Sequence, residues 1–313
     1  MSEIVVEVDL PVDEKFQIKK NVIKPIKEIK NPKRICIVTG THGDELEGQY
    51  VCYILQKLIN ESLEHLNGIV EIYPALNPLG IDSMTRGIPK FDLDMNRIFP
   101  GNLNGSMAEY VAAKLVEDMK GADMCIDIHA SNVFLKEIPQ VRINEITADV
   151  LVPYAKLLNI DFVWIHGAAT VLESTLAHSL NSLGTPTLVV EMGVGMRITK
   201  EYTNQLVDGI FALMKEMGIW TGDVIEPRKP IVSTEGEVFF LNAEASGVFV
   251  PQVPHWKNVK KGDVIGDIID PLHGTLLHEI ISPCDGVLFT LREYPMVYEG
   301  ALIGRILGGV NVG

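Results

Sequence analysis

Cysteine is scarce and unpatterned. Cys36, Cys52, Cys125 and Cys284 are the four in 313 residues, and none form C-x-x-C. Cys36 and Cys125 sit inside apolar strand-like runs, so buried free thiols are the expected state. Basic charge is in deficit: 27 Lys and Arg stand against 41 Asp and Glu, for a net charge of −14. A chain this acidic is a poor candidate for binding nucleic acid or an anionic membrane, although a local basic pocket can still take an anionic small molecule. No run approaches 18 uninterrupted apolar residues, so no membrane span is expected. The opening stretch "MSEIVVEVDLPVDEK" is acidic and has no basic segment leading into a long apolar core, unlike a secretory signal. Together these absences lead to the expectation of a cytoplasmic protein. With 47% apolar and 22% charged residues the composition is that of a globular protein. Its length suffices for one large or two unequal domains.

What is present is alternation. "ICIVTG" (Ile35–Gly40), "IVEIYPAL" (Ile69–Leu76), "MCIDIH" (Met124–His129), "DFVWIH" (Asp161–His166) and "PTLVVEMG" (Pro186–Gly193) are short apolar runs that read as buried strands. Helical spacing lies between them, with Leu46, Tyr50, Ile54 and Leu58 in one stretch and Met107, Val111 and Leu115 in another. Strand alternating with helix predicts an α/β fold with helices on both faces of a largely buried sheet. The pattern changes at "GDVIEPRKP" (Gly222–Pro230), after which short strands and Gly/Pro turns take over. We therefore expect a catalytic domain over 1–225 and an all-β domain over 226–313. That tail carries an internal repeat: Ser246–Ile268 resembles Asp285–Ile306, with Gly247, Gly262 and Gly266 matching Gly286, Gly300 and Gly304. Repeated β units of this size form a pseudo-symmetric sandwich or small barrel.

Chemistry gathers at the carboxyl ends of the strands, the edge where open α/β sheets bind ligands. His42 and Glu45, in "TGTHGDELEGQYV", follow the first strand, with the helix expected to begin near Glu45. They supply two members of a His₂Glu zinc set, which leaves a fourth position open. H-x-x-E alone arises often by chance. His129 ends a second strand, with Asp127 two residues earlier on the same face, placed to influence the histidine's outer shell. Two such strand ends favour zinc over a capped core histidine. Glu191 closes a third strand. A buried carboxylate there either pairs with an arginine or, beside a catalytic metal, takes a proton from the attacking water and returns it to a leaving amine. The long loop "TRGIPKFDLDMNRIFPG" (Thr85–Gly101) offers Arg97 as a bidentate carboxylate clamp, Asn96 as an amide partner and Arg86 as a cation for a developing oxyanion. Surface charges or loop staples are the plainer reading of each arginine, with Asp92 and Asp94 as salt partners. Arg142, His166 and Glu173 are weaker site candidates. His255, His273 and His278 read as surface or packing residues.

In order along the chain, "HGDE", "MNR", "DIH" and "VEMG" resemble the succinylglutamate desuccinylase/aspartoacylase family, a branch of the zinc carboxypeptidase-like (M14) fold. The resemblance covers about Ile35 to Met214, and the β tail looks like that family's extra barrel-sandwich-like domain. It implies a mixed sheet flanked by helices and a zinc-dependent hydrolase that cleaves the amide of a small N-acylated amino acid or related compound. Under it His42, Glu45 and His129 hold one Zn²⁺ per chain. Glu191 is the general base and then acid, Asn96 and Arg97 bind a substrate carboxylate, and Arg86 polarises the scissile carbonyl. The implied partner is a small-molecule acylated amino acid, with no nucleic acid and no membrane. The alternative within the same fold is a metallocarboxypeptidase acting on short peptides. The tail also resembles biotinyl/lipoyl carriers, but Ile269–Pro283, between its halves, has no lysine to carry a group. A wall or lid over the active site, or a homo-oligomer contact, fits the tail better.

Overall fold

The computed structural model describes residues 2–167 and 173–312. The first part of the chain runs β1 (Ser2–Asp9), β2 (Lys15–Ile23), β3 (Arg34–Thr39), α1 (Glu47–Glu61), β4 (Ile69–Tyr73), α2 (Pro78–Ser83), α3 (Met107–Met119), β5 (Met124–His129), β6 (Leu135–Asn144), α4 (Ala148–Ala155), β7 (Phe162–His166), α5 (Leu176–Ser182), β8 (Thr187–Gly193) and α6 (Lys200–Glu216). The centre of its sheet is β4-β3-β5-β8, parallel throughout, and the antiparallel pairs β2–β4 and β6–β8 flank it. This is the helix-flanked sheet that the alternation predicts, and its mixed pairing is what the family resemblance implies.

Side chains of a strand alternate between faces, and each face meets its own core. Ile35 and Ile37 pack with α1, α4 and α6, whereas Cys36 and Val38 pack with α3 and α5. A strand buried on both sides reads as a continuous apolar run, which is why the central strands were legible. Cys36, Cys52 and Cys125 are buried free thiols, and Cys284 is free and half-buried. The core stripe of α1 lies one position round from the expected one. Val51, Cys52, Leu55 and Ile59 are buried, while Leu58 is 38% exposed. The helix starts at Glu47, and it is the Val51–Leu55–Ile59 stripe that packs on the Ile35/Ile37 face of the sheet.

The C-terminal part runs β9 (Ile231–Val232), β10 (Glu237–Asn242), β11 (Gly247–Pro251), β12 (Lys257–Val259), β13 (Val264–Asp270), β14 (Thr275–Ile281), β15 (Gly286–Arg292), β16 (Met296–Val297) and β17 (Leu302–Gly308). The repeat is visible in the pairing. Each unit contributes a long antiparallel hairpin, β11–β13 in one and β15–β17 in the other. Each unit also lends its short strand to the other's sheet, so that β12 pairs β15 and β16 pairs β11. The matched turn glycines Gly262 and Gly300 have φ of 92° and 83°, the left-handed region that glycine adopts without strain. The second unit is not separate from the first part of the chain. Strand β15 pairs antiparallel with β6, so the large sheet continues through β15, β17 and β10. Phe289 and Leu307 share a buried cluster with Ile138 and Phe162 across that seam. No helix among the described residues is long and apolar enough to cross a membrane.

Candidate active site

Strands β3 and β5 are adjacent and parallel, so the residues after their carboxyl ends converge. The loop from Gly40 to Leu46 delivers His42 and Glu45, and its close packing depends on Gly43. A side chain there would run into the backbone of Gly80 in α2. The result is a buried triad: His42, Glu45 and His129 are 3, 4 and 4% exposed, and one ligand atom from each lies within 4.8 Å of the others. Both imidazoles turn the same nitrogen toward Glu45, at 2.8 Å for His42 Nδ1 and 2.9 Å for His129 Nδ1. The opposite nitrogens meet carboxylates, His42 Nε2 at 2.9 Å from Asp94 and His129 Nε2 at 3.1 Å from Asp127. That arrangement fits a metal. The His42 ring is hydrogen-bonded to Asp94, which can orient it, whereas Asp127 is paired with His129 by charge without a hydrogen bond; both rings aim an inner nitrogen at a shared point. His42 Nδ1 is buried and, despite its short approach to Glu45, is in no hydrogen bond. Burial alone would raise the Glu45 carboxyl, but the two histidines override it and hold it well below the usual carboxylate range. Although burial opposes it, the carboxylates in turn favour the protonated form of both histidines, so a cation binding here takes an ionised carboxylate and displaces protons from the imidazoles.

The triad opens onto a cavity of about 720 Å³ that also takes in Arg86, Asn96, Arg97, Asp127, Arg142, His166 and Glu191. Glu191 stands opposite His129 in the β5–β8 register. It pairs with Arg142 at 3.2 Å, so the arginine-paired reading and the cavity-facing one both describe it. Burial raises its carboxyl above the ordinary value while Arg142 opposes the shift. Asn96 lies on a single turn, Met95–Arg97, whose cap is the Asp94 side chain. Its Oδ1 accepts from the Leu176 amide at 2.9 Å, and its Nδ2 lies 3.5 Å from His129 Nε2. Arg97 donates to the Asn96 carbonyl at 2.8 Å, and its side chain is 45% exposed at the cavity wall. Arg86 is held inward, donating to Glu45 Oε1 at 2.8 Å and to Asp94 at 3.4 Å. Asp94 therefore serves His42 as well as the arginines. Glu173 is exposed and outside the cavity lining. His273 pairs with Asp270 on the surface, and His255 bonds the Phe289 carbonyl within the packing.

The succinylglutamate desuccinylase/aspartoacylase catalytic domain matches residues 31–217 of this sequence. The chain belongs to that family. It is thereby a deacylase of the kind that cleaves the amide of N-acylated amino acids. A relative from Halomonas elongata, N-alpha-acetyl-L-2,4-diaminobutyric acid deacetylase, is 26% identical over 287 residues, covering 85% of this chain and 80% of the relative. Two solved structures share the fold along nearly their whole length. The ectoine utilization protein EutE (DoeB) of Ruegeria pomeroyi, in a product-bound structure, has a TM-score of 0.80 at 19% identity, covering 97% of this chain and 93% of that one. A succinylglutamate desuccinylase/aspartoacylase from Rhodobacter sphaeroides has a TM-score of 0.79 at 21% identity, covering 99% and 96%. Among the ionisable residues of the cavity, Glu137, His178 and Arg305 escaped the sequence reading. Glu137 is 1% exposed on β6, and Arg305 reaches the cavity from β17. Arg305 did leave a signal, as a lone charge inside the apolar run "LIGRIL".

Proposed function

We propose that the protein is a zinc-dependent amidohydrolase that removes the acyl group from a small N-acylated amino acid, working in the cytoplasm. The observation that supports this reading best is the buried His42–Glu45–His129 triad opening onto the same cavity as Glu191. One zinc per chain would sit on the triad, because His₂Glu is a set that leaves a coordination position open. When bound, zinc supplies Lewis-acid polarisation of a carbonyl and acidification of water.

The chain's own groups do the rest. The Glu191 carboxylate takes a proton from the attacking water and gives it to the departing amine nitrogen. Its raised affinity for protons, set by burial, suits a group that must both accept and release one. The Arg97 guanidinium, with the Asn96 amide, holds a substrate carboxylate at the cavity wall. Arg86 sits beside Glu45, where its charge stabilises the oxygen of the scissile carbonyl as negative charge develops. We further propose a division near residue 225, in the segment without helix or strand that precedes β9, with the β part after it walling the cavity through Arg305.

The Halomonas relative's substrate makes Nα-acetyl-diaminobutyrate the first compound to try. The test is metal analysis of the purified protein followed by a panel of N-acyl amino acids and short peptides. One zinc per chain with release of an acyl acid supports the reading. Release of C-terminal residues from peptides, with the acyl amino acids untouched, would install the metallocarboxypeptidase instead.

A further inference from the structure

We propose that Arg305 is a positioning residue for the proton-transferring carboxylate, acting through Glu137 and Arg142; this rests on the assignment of Glu191 made above. The observation is a continuous chain of charged contacts across the seam between the two parts of the protein. Arg305 Nη1 donates to Glu137 Oε1 at 2.8 Å. The same oxygen accepts from Arg142 Nη2 at 3.1 Å, and Arg142 Nη1 lies 3.2 Å from Glu191 Oε1.

Glu137 is the hub. Its other oxygen accepts from Gln140 at 2.7 Å and from Thr290 at 2.6 Å, so a carboxylate 1% exposed is fully satisfied. The sheet register builds this hub. Glu137 stands opposite Thr290, and Thr290 opposite Arg305, on three successive strands. Both guanidinium groups also lie over the Trp164 ring, at 5.4 and 5.3 Å from its centroid, which limits their tilt.

Two features separate positioning from packing. First, the β unit does not need an arginine at this place. Gly304 matches Gly266 in the repeat, so the counterpart of Arg305 is Asp267, which occupies the equivalent hairpin and bonds Gln252. Second, Arg142 is shared between two carboxylates. While Arg305 meets part of the demand of Glu137, Arg142 is free to hold Glu191. Without Arg305, Glu137 draws Arg142 toward itself, and Glu191 loses the contact that aims it. Asn96 and Arg97 lie outside this chain of contacts, so the proposed carboxylate clamp stays in place while proton transfer suffers.

The variants are Arg305→Lys, which keeps charge but loses the planar guanidinium over Trp164, and Thr290→Val, which keeps shape but removes one hydrogen bond to Glu137. Each is made alone and on top of Glu191→Gln, and assayed with Nα-acetyl-diaminobutyrate or the fastest substrate of the panel. Zinc content and thermal midpoint are recorded alongside. A misaimed proton-transfer group is expected to lower kcat about ten- to hundredfold for Arg305→Lys, with KM held within about threefold. For Thr290→Val the fall is expected to be smaller. Neither should lower the residual turnover of Glu191→Gln further, because both act through the carboxylate already removed. An unchanged kcat in both variants, a rise in KM alone, or an equal fold-loss in the Glu191→Gln background overturns the proposal. If Arg305→Lys does not fold, Thr290→Val decides by the same criteria. Glu191→Gln by itself reports on the base assignment: if it retains turnover, that assignment fails first, and the positioning role fails with it.

Discussion

Replacing Glu191 by glutamine separates its proposed proton transfer from everything else the residue does. Glutamine keeps the size of the side chain and its hydrogen-bonding reach, but it cannot shuttle a proton. Glu191 is not one of the three ligand side chains of the triad, so metal content should stay at the wild-type level. The structural loss is bounded. Arg142 gives up a charged partner at 3.2 Å but retains Glu137 at 3.1 Å, so the guanidinium is not stranded. A weakened charge-assisted contact of this kind is worth about 1–3 kcal/mol, which should lower the unfolding midpoint without abolishing the fold. General acid–base catalysis contributes roughly two to four orders of magnitude in rate. At 1.36 kcal/mol per decade that is about 3–5 kcal/mol of barrier, larger than the stability change and opposite to no other effect of the substitution. The assay is kcat measured beside zinc content and a denaturation curve on the same preparations. A folded variant with full metal and near-normal kcat would falsify the role of Glu191 and send the search for the base elsewhere.

His129→Ala should abolish tight metal binding, and equal zinc in both proteins would break the ligand assignment. Arg97→Ala should weaken binding of a carboxylate substrate by about 2–5 kcal/mol while leaving its amide analogue little changed, as read from KM for each. If the variant tells the two apart as well as wild type does, Arg97 is not the clamp. Lys20, 7% exposed, is paired with Glu71 at 3.1 Å and Asp118 at 2.8 Å, so Lys20→Met should cost about 3 kcal/mol in urea denaturation. Although burial works against the charged form, those carboxylates hold the Lys20 pKa above its ordinary 10.5. The difference between wild type and Lys20→Met should therefore be full at about pH 8 and fade as pH climbs past 10.5 through the raised folded value. A difference that grows with alkaline pH would contradict the pairing. Ending the chain after Pro230 strips β15 from β6 and uncovers Ile138 and Phe162, so aggregation is expected, and a soluble, fully active fragment in a sedimentation assay would refute that.

Much of the candidate site was legible because strands buried on both faces announce themselves. "ICIVTG" and "MCIDIH" are unbroken apolar runs, so the polar residue that ends each, or follows it, stands out, and parallel neighbours bring such ends together. His42, Glu45, His129 and Glu191 could be named on that ground. Strand β6 could not. Its burial is nearly complete, but Glu137, Gln140 and Arg142 interrupt the apolar pattern, and a local window cannot tell a satisfied buried charge from an exposed one. In α1 two apolar stripes share the helical spacing, Tyr50–Ile54–Leu58 and Val51–Leu55–Ile59, and only packing on the sheet chooses the second.

The sequence by itself determined the alternating core, the change to short strands after the last helix, the repeat in the tail and the residue types at the strand ends. Each is a pattern written within a few residues of itself, or in two copies of one stretch. Only the tertiary structure decided that β15 joins β6, that Arg305 reaches Glu137 across 168 positions of chain, and that Arg142 stands between two carboxylates. Those partners are chosen by sheet register and by the need of a buried charge for a counter-charge, and neither constraint acts along the chain.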